Sequence, residues 1–388
     1  MKRALTFLFV FLAVAAGIFA LVIGLNYNGF QTLFENEEGM AEGSQYIENT
    51  YSLKGLTEFI GEHPEFMSVT SYNVADPDSG IFYQSDVPRT LGATANIFLL
   101  IEYERQVAEG LLDPTEAISL NEIQQFALPE ISEKNHQKII NEFKGGTAPL
   151  DAAVSAMISN SDIAVADYLW FRLGENNIKA LHDSLNLSNT NIPVPFSGMY
   201  ITINPSLNDT SNLLVLDFEE FASKSISNAR QLKDDGEFHQ KVKEQFDDDR
   251  LSLTFMQERD ALSYFPQGTT QDLADLLYRL VRDEIISPEV SKNVKQKLRW
   301  PMNSEPIARS FKDYGALYDN RMGLLGGIDF GTSIFDGHTS VQAVFFDRLP
   351  VGFWVHLSAN HMQEDFQQRL IWDPALFETT LKETSGHE

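Results

Sequence analysis

Two short stretches carry hydroxyl side chains at places where chemistry could sit. One is Leu91-Gly92-Ala93-Thr94-Ala95-Asn96, with Thr94 in its middle; the other is Ser159-Asn160-Ser161-Asp162-Ile163. Each runs directly into an apolar stripe of helical period, so each would present its side chains at a helix start. A hydroxyl there becomes a nucleophile only with a base one helical turn away. No Ser in the chain is followed by Lys three residues later, and Thr379 with Lys382 is near the C-terminus. The chain has no cysteine, which excludes thiol catalysis, disulfides and Cys-ligated metal. The histidines (His63, His136, His182, His239, His338, His356, His361 and His387) are scattered, without an H-E-x-x-H pair. His356 and His361 are the closest couple, and His356 reads as a sheet residue satisfied by a neighbour rather than as a ligand. Asp234-Asp235 and Asp247-Asp248-Asp249 read as solvated loop, with a calcium site as the alternative, and lack EF-hand spacing. There is no G-x-S-x-G elbow and no phosphate loop; Asn141 to Gly146 reads as a polar turn. No cofactor and no metal site is indicated.

The elements that must position these residues follow from periodicity. Strand signals lie near the two ends: Met67–Val74 and Gly80–Gln84 around a turn at Asp76-Pro77-Asp78-Ser79, then Thr332–Phe335, Val341–Phe346 and Val351–Ser358. The middle is helical, with Ile97, Leu100 and Ile101, then Met157, Ile158 and Ala164, then Leu273, Leu276, Leu277 and Leu280 on common faces. Thr269 reads as an N-cap and Ser287-Pro288 as a helix start. Strands at both ends with helices between predict an α/β (α+β) body. One antiparallel sheet is closed by distant parts of the chain and an all-α lobe is inserted between them. Helices near Tyr51–Glu62 and from Met362 onward are expected to cover the sheet.

At the N-terminus, Lys2 and Arg3 precede an apolar run, Ala4–Leu25, and the next basic residue is Lys54. Twenty-two residues reach roughly 33 Å, enough for a bilayer core. The charge asymmetry puts Met1–Arg3 in the cytoplasm and the body outside, periplasmic or extracellular. The expectation is a membrane anchor through residues 4–25, with a cleaved signal peptide and secretion as the alternative. Residues 26–49 read as a polar stalk. Net charge is −26, from 29 basic and 55 acidic residues, so phosphate backbones are repelled and no nucleic-acid partner is expected.

The pair of helix starts, Leu91 to Tyr103 and Ala156 to Leu169, resembles the class A serine β-lactamases and their penicillin-recognising relatives. Thr269-Thr270-Gln271-Asp272-Leu273-Ala274 and Leu324-Leu325-Gly326-Gly327 resemble later segments of the same family. The resemblance covers residues 50–376. It implies a two-lobed fold: an α/β lobe of about 50–88 and 305–376, and a helical lobe of about 89–304 with an insertion at 204–262. Residues 377–388 would be a tail. The family works through Ser-x-x-Lys, Ser-Asp-Asn and an edge-strand Lys-Thr/Ser-Gly. On that resemblance the serine position is Ala93, the lysine position Asn96, and the Asn of the second motif Ile163, while Ser161 and Asp162 remain. The third motif falls on Leu325-Gly326-Gly327, without its lysine. No Asp, Glu or His lies between Ser184 and Asn208 to serve as a deacylating carboxylate.

These departures imply an exported relative that binds without hydrolysis, with Thr94, Ser161, Asp162, Gly326 and Gly327 lining its cleft. The ligand would be a cell-wall fragment, another small molecule or a protein partner. The alternative is an active serine hydrolase with a rearranged site on Ser161 or Thr94.

Overall fold

The computed structural model describes residues 36–143, 145–208, 217–247, 253–298, 311–319 and 327–385, with the backbone alone for 130–135, 142, 311–319, 327–333 and 364. Residues 1–35, including the Ala4–Leu25 run, lie outside the described residues, as do Leu325, Gly326, Asp248, Asp249 and His387. Among the described residues no helix is long and apolar enough to cross a membrane.

The chain's two ends meet in one antiparallel sheet of five strands. These are β1 (Met67–Asn73), β2 (Asp76–Tyr83), β7 (Phe311–Asp319), β8 (Gly327–Phe335) and β9 (His338–Phe346), in spatial order β2-β1-β9-β8-β7. Val69 pairs with Val344 and Thr70 with Ala343. Two small ladders complete the strands: β3 (Arg89–Thr90) with β6 (Gln267–Gly268), and β4 (Ala117–Ser119) with β5 (Thr147–Pro149).

The sheet separates two apolar cores, and the two-residue period of a strand decides which side chain enters which. On β9, Val341, Ala343 and Phe345 join the core of the helical lobe, whereas Val344 and Phe346 join the other. The helices are α1 (Leu53–Glu62), α2 (Asn96–Ala108), α3 (Leu120–Gln124), α4 (Pro129–Glu142), α5 (Leu150–Asn160), α6 (Ile163–Leu173), α7 (Glu175–Leu185), α8 (Phe196–Ile203), α9 (Phe218–Asp234), α10 (Gly236–Asp247), α11 (Thr270–Val281), α12 (Pro288–Leu298), α13 (Val351–Ala359), α14 (Met362–Trp372) and α15 (Pro374–Thr384). Helices α1, α13, α14 and α15 bury their apolar faces on one side of the sheet; α2 to α12 supply the other side. Thr269 caps α11 through Asp272 N–H at 3.1 Å, as its spacing predicted.

Several expectations are corrected here. The β1–β2 turn lies at Val74-Ala75, because Asn73 pairs with Asp76; Asp76 to Ser79 are strand. Val351–Ser358 is not a strand but helix α13, with His356 on it. Its residues are apolar on nearly every side, and such a short run does not reveal its period. Pro350 at the N-cap and the burial of Val351, Phe353 and Leu357 decide for helix. Strand β7 has no counterpart among the expected strands, and β8 begins at Gly327 rather than Thr332.

The stalk and tail also shrink. Short helices at Glu37–Ala41 and Ser44–Ile47 pack on the body. Asn36 Oδ1 accepts from Phe255 N–H at 2.7 Å, and Arg259 pairs with Glu42 at 2.6 Å. Gly43 has φ +81° and lies so close to Pro350 that a Cβ would sit 2.6 Å from the proline Cβ, so both backbone and space require glycine. Helix α15 carries the folded body past 376, burying Thr380 and Thr384. Within the 204–262 segment, Asp235 ends α9 and accepts from Glu237 and Phe238 N–H at 3.0 and 3.1 Å, a capping role.

Candidate functional site

The first motif position sits in a tight 3₁₀ turn, Gly92–Ala95, that feeds α2 and packs against β7 and β8. Gly92 takes φ +51°, a conformation that favours glycine and lets the turn reverse sharply. Ala93 is 2% exposed and Thr94 fully buried. The Thr94 hydroxyl donates to the Leu91 carbonyl, so it is committed to closing the turn rather than open to a cleft. Asn96, the first residue of α2, is 1% exposed, and neither its Oδ1 nor its Nδ2 has a partner among the described residues. A buried amide without partners costs roughly 1–3 kcal/mol.

The second motif lies between α5 and α6, and α6 packs on α2. Ser161 adopts the left-handed conformation, φ 49° and ψ 44°, and ends α5. Asp162 is fully buried and serves two elements. Its Oδ1 accepts Val165 N–H at 2.8 Å, capping α6, and its Oδ2 lies 3.1 Å from His136 Nδ1 on α4. Asp162 is therefore a structural joint, not a cleft-lining group. Ile163 points into the helical core at 1% exposure.

The third-motif reading fell on Leu325-Gly326-Gly327, of which Leu325 and Gly326 lie outside the described residues. The family places its lysine on an edge strand, and Gly327 opens β8, which lies between β7 and β9. The edge strand beside the Gly92–Ala95 turn is β7. It carries Lys312-Asp313-Tyr314-Gly315, and the β7–β8 register shifts there: Lys312 opposes Ile334 while Gly315 opposes Thr332. Three steps along β7 match two along β8, so one extra residue is accommodated in a bulge between Lys312 and Gly315.

A further carboxyl escaped the sequence reading. Asp167, on α6, is almost wholly buried and accepts Phe196 and Ser197 N–H at 2.6 and 2.7 Å, holding the start of α8. Burial pushes its carboxyl up to about 7, against these bonds, which pull the other way. It supplies a carboxyl to the stretch where the sequence has none, but in the interior.

The profile of the Beta-lactamase enzyme family matches residues 54–368. The chain belongs to this family. One solved structure agrees at the level of the fold. A β-lactamase from Chitinophaga pinensis DSM 2588 shares 13% identity, covering 83% of this chain and 99% of its own, with a TM-score of 0.50. A β-lactamase from Sphaerobacter thermophilus DSM 20745 shares 15%, covering 80% and 98%, at 0.49. PBP-A shares 13%, covering 80% and 97%, at 0.45. No curated protein matches the chain. In this member of the Beta-lactamase enzyme family, the Gly92–Ala95 turn before α2 packs against β7 and α6 packs on α2, with a methyl at Ala93 and an amide at Asn96.

Proposed function

We propose that this β-lactamase-family chain is anchored in a membrane through Ala4–Leu25, exposes its body outside the cytoplasm, and binds a ligand or partner without hydrolysing it. The observation that carries the reading is Ala93 in the turn that leads into α2, followed one turn later by Asn96. A methyl has no lone pair with which to attack a carbonyl, and an amide takes up no proton near neutral pH. Both halves of the activated nucleophile are therefore absent at the position where the fold would use them. Loss of the nucleophile in a worked serine hydrolase cost about 10⁶ in kcat. The basic Lys2-Arg3 before the apolar run and the acidic residues after it support the orientation.

A hydrolase built on Thr94 or Ser161 is the competing reading. The buried Thr94 hydroxyl, already donating to Leu91, speaks against the first of these. Intact-mass spectrometry after incubation with a labelled penicillin tests both. The expected result is the unmodified mass. A stoichiometric adduct on the unmutated chain would overturn the reading and direct mutagenesis to Ser161.

A further inference from the structure

A cavity of about 370 Å³ opens between α3, α4 and α10, away from the Ala93 turn. Helix α10 belongs to the 204–262 segment and packs on α4, so that segment helps to build the cavity. The chain carries a net charge of −26, yet no Asp or Glu is among the described residues lining this space. Its polar lining includes the amides of Gln124, Gln125 and Gln137, with His136, His239 and Lys243. Lys243 is exposed on α10 and has no carboxylate partner among the described residues.

The imidazole of His136 is held in one tautomer. A carboxylate only accepts, so the Nδ1 that lies 3.1 Å from Asp162 Oδ2 carries the hydrogen. In the neutral ring Nε2 is then a bare acceptor. It is buried and has no partner among the described residues, on a side chain 6% exposed. A polar atom left like this at the wall of a cavity asks for a donor from the occupant. His239 is fixed the same way, its Nδ1 donating to the Leu232 carbonyl at 3.2 Å. The lining therefore offers acceptors at the imidazoles, both donors and acceptors at the amides, and one ammonium.

We propose that this cavity binds a small hydroxylated anion, a sugar phosphate or a hydroxy acid. A ligand hydroxyl donates to His136 Nε2, the amides take further hydroxyls, and Lys243 takes the charge. The volume lies at the lower end of the ordinary range for ligand sites and suits a single sugar unit. Because Asp162 holds both His136 and the start of α6, occupancy would be felt at the second motif.

Calorimetric titration of the full chain with glucose 6-phosphate, gluconate, glucose and inorganic phosphate tests the proposal. At least one of the two hydroxylated anions should bind with a Kd below about 1 mM, and glucose and phosphate roughly tenfold or more weaker. Lys243→Met should weaken that binding by about tenfold. His136→Asn retains an N–H for Asp162 but removes the Nε2 acceptor, and should do the same. Thermal melts show whether each variant is folded; Lys243→Met changes an exposed residue and keeps the test decisive if His136→Asn melts early. Absence of binding by both anions, equal binding of glucose, or undiminished binding to Lys243→Met would each overturn the proposal.

Discussion

Asp162 and His136 face each other across two helices, Oδ2 to Nδ1 at 3.1 Å, while the other carboxylate oxygen caps α6. One side chain thus fixes the angle between α4 and the helix start that bears the second motif. Asp162→Ala removes the cap and leaves the buried imidazole without its acceptor. A loss of about 2–4 kcal/mol in a denaturant melt is expected. Asp162→Asn keeps an acceptor for Val165 N–H and should cost less. Equal losses for the two variants would show that the cap contributes nothing measurable.

Lys297 closes a second buried joint. Its Nζ lies 2.9 Å from Glu104 and 2.7 Å from Asp151, joining α12 to α2 and α5, and Tyr103 also donates to Asp151 at 3.0 Å. Glu104 is 2% exposed. Lys297→Met strands that carboxylate, and such losses run to about 3–5 kcal/mol. The double variant Lys297→Met with Glu104→Gln should recover a good part of the loss. A chemical denaturation series on the three proteins measures it.

The sign of the pH dependence at Asp167 can be worked out. Its folded carboxyl titrates at about 7, above the ordinary 3.8 of an unperturbed aspartate. Between these values the folded state holds a proton that the unfolded chain has released. Stability from this group is therefore present at low pH and falls as pH rises from about 4 to 7, by at most roughly 1.4 kcal/mol per pH unit. Asp167→Asn should flatten that part of the stability–pH curve relative to the unmutated chain. Parallel curves from the two proteins would mean that the two N–H bonds keep the carboxylate ionised.

Restoring chemistry should need more than one change. Ala93→Ser alone is expected to stay unacylated by a labelled penicillin, since Asn96 cannot deprotonate it. Ala93→Ser with Asn96→Lys should acylate slowly and release product poorly, for want of a deacylating carboxylate between Ser184 and Asn208. Time-resolved intact-mass measurements distinguish the variants, and rapid turnover by the single variant would point to a base elsewhere.

Membrane orientation is open to a direct measurement. A reporter fused after Glu388 should be active only outside the cytoplasm, and removal of residues 1–25 should leave the protein in the cytosol. Reporter activity inside the cytoplasm from the full-length fusion would sink the export proposal.

Much of the fold was legible because periodicity is local. The stripes at Ile97 to Ile101, Met157 to Ala164 and Leu273 to Leu280 became α2, α5–α6 and α11, and Val341–Phe346 became the strand that pairs with β1. Residue identity alone determined that Ala93 cannot be a nucleophile and Asn96 cannot be its base. No packing can add a lone pair to a methyl.

Other features depended on contacts between distant residues. Val351–Ser358 has strand composition, yet Phe353 and Leu357 gain their burial as a helix over the sheet, and propensity yields to that. The place of β7 at the sheet edge came into view only through the order of strands, because pairing between distant segments leaves no local signature. Asp162 and His136 are 26 residues apart, and nothing in their spacing announces a pair. Hydrogen bonds of this kind are set by how helices pack, and packing is a property of the whole core that no sequence window contains.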